Sequence, residues 1–113
     1  MCSSDLTVLR QAIERGAPAR AVEASYWLGE LHRAAGHPLE AEDAYFSVVY
    51  LYPGEGEWVA KALLSAGDLY RSLQQNREAV IVYRKLLARS NLPDAVAKSA
   101  REALGQLESS QKR

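Results

Sequence analysis

The chain has 113 residues, 48% of them apolar, with fourteen basic side chains against fourteen acidic ones. That length allows one domain with a modest core, and the even charge lacks the basic excess usual for a nucleic-acid surface. No apolar run approaches the roughly 18 residues of a membrane span, and the single cysteine, Cys2, excludes an internal disulfide.

The N-terminus shows no basic patch followed by an apolar region, the pattern of a signal peptide. Its "CSSDL" (residues 2–6) back-translates as TGC TCT TCC GAT CT, which resembles the end of a sequencing adapter. Residues 1–6 are therefore expected to be an adapter or cloning scar, the natural chain having begun further upstream. The other reading is a frayed native terminus in which Asp5 caps a helix. A first helix is expected over about 5–15, with Leu6, Leu9 and Ile13 as its apolar stripe.

Five further helices are expected, over about 18–35, 38–52, 57–74, 76–90 and 93–111. Pro18, Pro38 and Pro93 each stand where a first helical turn tolerates proline. "GHP" at 36–38 and "QQN" at 74–76 punctuate between paired helices, while "YPGEGE" at 52–57 and "NLP" at 91–93 punctuate between pairs. Ala41, Ala44, Tyr45 and Val48, and again Ala79, Val82, Tyr83 and Leu86, follow the i, i+3, i+4, i+7 stripe of an amphipathic helix. No segment alternates as a half-buried strand does.

Three segments align without gaps: "GAPARAVEASYWLGEL" from Gly16, "GEGEWVAKALLSAGDL" from Gly54 and "LPDAVAKSAREALGQL" from Leu92, each 38 residues after the last. Gly29, Gly67 and Gly105 fall in register, as do Ala24, Ala62 and Ala100, and Leu31, Leu69 and Leu107. Glycine inside a helix costs about 1 kcal/mol relative to alanine. Its recurrence at one register position points to a close approach by the paired helix, with two full repeats over about 18–53 and 57–91.

These residues resemble the tetratricopeptide repeat (TPR) family, whose motif runs large–small–aromatic along two antiparallel helices. Leu28, Gly29, His32, Gly36, Ala41, Tyr45, Val48 and Pro53 take the motif positions in the first repeat. Ala66, Gly67, Tyr70, Gln74, Ala79, Tyr83 and Leu86 take them in the second. Two departures stand out: the family period is about 34 residues, and His32 occupies an aromatic position. The extended linkers ending in "YP" are similar to those of bacterial periplasmic TPR proteins of the Tol–Pal cell-division coordinator and outer-membrane assembly lipoprotein types.

The resemblance implies an all-α solenoid of about six helices with a right-handed superhelix, over about 5–110, from the C-terminal part of a longer bacterial protein. It also implies a periplasmic or cell-envelope location and a concave face lined by the first helix of each pair. Carried over by register, that face comprises Glu23, Tyr26, Glu30 and Arg33, then Lys61, Leu64, Asp68 and Arg71. It lacks the Lys/Asn set of TPR clamps that take a peptide's C-terminal carboxylate. The expected role is a non-catalytic protein–protein interaction scaffold binding a peptide or protein. The alternatives are a structural spacer or end cap with no ligand site, and a self-association module forming a homo-oligomer through the N-terminal helix.

Little favours catalysis or a cofactor. His32 and His37, the only histidines, lack the further ligands a metal site needs. Glu40, Glu42 and Asp43 open a helix, where they complement its dipole. "PGEGE" has no following Lys-Ser/Thr, so it is no phosphate loop. Trp27 and Trp58 are expected to pack between repeats. No enzyme activity, cofactor, metal, nucleic-acid partner or membrane insertion is expected.

Overall fold

The computed structural model describes residues 18–111, and among them every regular element is an α-helix: α1 (Pro18–Ala34), α2 (Pro38–Leu51), α3 (Gly56–Ser72), α4 (Asn76–Leu87) and α5 (Asp94–Gln111). The scar expected at 1–6 and the helix expected over 5–15 lie outside the described residues. α1, α3 and α5 start at residues 18, 56 and 94, and α2 and α4 at 38 and 76, so each start recurs after 38 residues. The repeat in the sequence is a repeat of helices.

The chain divides into two compact units, residues 1–62 and 63–113, with the boundary inside α3. In the first unit α1 packs on α2. Its core is made of small and β-branched side chains, Ala21, Val22, Ala24, Ala41, Ala44, Val48, Val59, Ala60 and Ala62, together with the fully buried Tyr45. In the second unit α4 packs on α5. There Leu63, Ala66 and Leu69, with Val82, Tyr83 and Leu86 of α4 and Ala100, Ala103 and Leu107 of α5, are buried. Burying such a side chain stabilises the fold by roughly 1.5–3 kcal/mol.

The glycines explain how the pairs close. A Cβ on Gly29 would stand 2.6 Å from Tyr45 Cε1, and one on Gly67 would stand 2.6 Å from Tyr83 Cε1. Both distances are inside van der Waals contact, so the missing side chain is the space the ring occupies. Gly105, at the same register in the last helix, is exposed and meets nothing within 4 Å. The positions around it explain the difference. Val22 and Ser25 in α1, and Ala60 and Leu63 in α3, are buried, whereas their register equivalents in α5, Lys98 and Arg101, are exposed. Among the described residues the face of α5 that carries Gly105 thus presents Lys98 and Arg101 to solvent.

The turns after α1 and α3 are built alike. The His37 N–H donates to the His32 carbonyl at 2.8 Å and the Gln75 N–H to the Tyr70 carbonyl at 2.8 Å, the six-to-one bond of a left-handed helix cap. The residue before each donor has positive φ: Gly36 at 79° and Gln74 at 64°. Glycine takes this conformation freely, while a side chain costs roughly 1 kcal/mol there. Gln74→Gly is therefore expected to stabilise the fold by about that amount, despite the added flexibility of the unfolded chain. Urea unfolding checks it, and an unchanged or lower midpoint contradicts it.

Candidate functional site

Each unit places an acid and an arginine of the first helix beside the tyrosine of the second. In the first, the Tyr45 hydroxyl donates to Glu30 Oε1 at 2.8 Å, and Arg33, one turn beyond Glu30, acts on the same hydroxyl. In the second, the Tyr83 hydroxyl donates to Asp68 Oδ1, with Arg71 beside it. Arg71 also donates through Nη2 to Gln106 of α5. Both acids follow their glycine directly, so ring contact and hydroxyl contact are set by two consecutive residues.

The remaining register positions fall into a different group. Tyr26 is half-buried, with its ring 5.2 Å edge-on from Trp27, 5.6 Å from Trp58 and 6.1 Å from Tyr45. The Lys61 ammonium lies 4.5 Å from the centre of the Trp58 ring, a cation–π distance. It also pairs with Glu57, one turn earlier on α3, at 3.5 Å. Glu23 is exposed on α1 one turn before Trp27. In the second unit Leu64, the register equivalent of Tyr26, is half-buried.

Of the eight register positions, then, Glu30 and Asp68 are engaged by tyrosines of their own unit, and Lys61 lies on a ring. Tyr26 is brought together with Trp27, Trp58 and Lys61. The tryptophans do not share one role. Trp58 is half-buried against Tyr26, but Trp27, expected between repeats, is 49% exposed. The signal in the sequence was its place on the helix. Glu23, Trp27 and Glu30 follow i, i+4, i+7 and so share a face.

His32 and His37 face each other with ring centres 5.8 Å apart. Among the described residues no group of three or more His, Cys, Asp or Glu could hold a metal ion, and no helix is long and apolar enough to cross a membrane. No protein-family model matches the sequence, and no curated protein matches it.

Burial first, then the hydrogen bond to Glu30 and its charge, push the Tyr45 hydroxyl above its ordinary pKa of 10.0, while Arg33 pulls the other way. Tyr83 is raised in the same direction by burial and then by Asp68, with Arg71 opposing. The folded chain thus holds these protons longer than the unfolded chain does. The stability they contribute is complete below about pH 10 and is lost as pH rises toward the folded value. Tyr45→Phe is expected to cost about 1 kcal/mol at pH 7, and the deficit should shrink by pH 11. Urea unfolding at both pH values tests this; a deficit that persists or grows at pH 11 contradicts it.

Proposed function

We propose that this chain is a non-catalytic interaction module of the tetratricopeptide type, binding a segment of a peptide or protein on the first-helix face that carries Glu23, Tyr26 and Trp27. The reading rests chiefly on one observation: a tryptophan left 49% exposed on α1 and backed by Tyr26, itself held against Trp58. An exposed aromatic on a rigid helix, with its neighbour fixed by packing, offers an apolar anchor point at low entropic cost.

Glu30 and Arg33 border this face in the first unit, while Lys61 covers Trp58. The second unit repeats the pattern with Leu64, Asp68 and Arg71. Support for the family reading is the 38-residue recurrence of helix starts and the glycine–tyrosine contact found once in each unit. On this reading Glu30 and Asp68 act mainly by holding the second helix. Tyr26, Trp27 and Glu23 contribute contact surface, and the ligand supplies an apolar side chain for Trp27.

A random peptide library displayed on phage and panned on the purified chain provides the probe. The selected peptide should bind Trp27→Ala about tenfold more weakly or worse, as expected for an aromatic anchor, with unchanged far-ultraviolet circular dichroism. Ile81→Ala on α4 should bind as the unmodified chain does. Equal affinity for Trp27→Ala and the unmodified chain refutes the site.

A further inference from the structure

The outward faces of the two second helices differ in the sign of their net charge. On α2, Leu39, Tyr50 and Leu51 are 71%, 70% and 67% exposed, and Phe46 stacks on Tyr50 with ring centres 6.1 Å apart. Every charged residue of α2 is acidic: Glu40, Glu42 and Asp43. Leu39, Asp43, Phe46 and Tyr50 follow i, i+4, i+7, i+11 and share one face. Their equivalents 38 residues on are Arg77, Ile81 and Arg84 of α4 and Ala88 just past its end. Here the apolar residue, Ile81, is 56% exposed and stands at the register of the acid, with arginines at the register of Leu39 and Phe46. Lys85 is exposed beside them, and so is one acid, Glu78, at the register of Glu40. Arg84 is already paired with Glu108 of α5 at 2.8 Å, which leaves Arg77 and Lys85 to carry the positive charge.

We propose that the outer face of α2 docks on the outer face of α4 of a second copy of this chain. Charge decides the pairing. Two α2 faces would bring acid against acid, and two α4 faces would bring together surfaces of net positive charge, Arg77, Arg84 and Lys85 outnumbering Glu78, arrangements that complementary potentials disfavour. An α2 face on an α4 face sets Glu40 and Asp43 against Arg77 and Lys85, and covers Leu39, Tyr50 and Ile81 together. With fourteen charges of each sign overall, no net repulsion holds copies apart. The contact is heterologous, because the two copies use different surfaces. Each added copy leaves one face of each kind free, and the assembly grows by addition unless its rotation closes a ring. One helix face on another places the interface at the small, weak end of the range. This surface is separate from the α1 face of the preceding section.

Sedimentation velocity on the full chain tests the proposal. The weight-average mass should rise above the 12.5 kDa of one chain as concentration increases, and fall back in high salt. Two charge-reversed variants isolate the interface: Glu40→Lys with Asp43→Lys, and Arg77→Glu with Lys85→Glu. Each alone should stay at one chain's mass, because both of its faces then carry the same sign. An equimolar mixture should associate again, because each variant restores the partner of the other. Circular dichroism confirms that both variants remain helical. The proposal is overturned by a monomeric mass at every concentration, by a variant that associates alone as the unmodified chain does, or by folded variants whose mixture stays monomeric.

Discussion

Tyr45 lies where a Cβ on Gly29 would stand, and Tyr83 lies in the same way at Gly67. Each hydroxyl then reaches the acid that follows the glycine, Glu30 or Asp68. This pair of contacts joins the first helix to the second in both units, and much else follows from it. The ring fills the space between backbones that alanines line elsewhere, and the hydroxyl sets the rotation of one helix against the other. A glycine in mid-helix sacrifices about 1 kcal/mol of propensity. Burying an aromatic side chain returns roughly 1.5–3 kcal/mol, so the exchange favours the fold.

The same contact divides the polar residues of the first helices into two kinds. Glu30, Arg33, Asp68 and Arg71 stand around a tyrosine hydroxyl, which makes them part of the helix-pair framework. Glu23, Tyr26 and Trp27 do not depend on that hydroxyl, and their chemistry is turned outward or sideways along α1. A binding surface on this chain would therefore be supported from beneath by Tyr45 and Trp58 and presented by Trp27. The second helices diverge in a different way. Their inner residues match by register, yet α2 is acidic and apolar outside where α4 carries Arg77, Arg84 and Lys85 against the single acid Glu78.

Much of the helix pattern was readable from residues alone, because its signals are local and repeated. Prolines stand at or just before helix starts, the i, i+3, i+4, i+7 stripes of 41–48 and 79–86 lie inside, and the register of Gly29 with Gly67 corresponds to a real close approach. Gly105 shares the register of Gly29 and Gly67 but meets no ring, because no described helix follows α5 as α2 follows α1 and α4 follows α3. The assignments of Glu30 and Asp68 were blurred for a related reason. Periodicity places a carboxylate on a helix face, but not the tyrosine hydroxyl fifteen residues later that reaches it. The exposure of Trp27 likewise depends on what packs against Tyr26, which no single helix encodes.

Three identical substitutions in three equivalent positions test the glycine–tyrosine contact most directly: Gly29→Ala, Gly67→Ala and Gly105→Ala, each measured by thermal and urea unfolding. Alanine favours the helix at all three sites by the same propensity, about 1 kcal/mol. At Gly29 and Gly67 it must also displace a buried tyrosine ring, an overpacking cost of typically 1–3 kcal/mol. Lower stability is expected for the first two and higher stability for Gly105→Ala. Three variants shifted in the same direction, or a Gly29→Ala chain as stable as the unmodified one, would contradict the role assigned to the missing side chain.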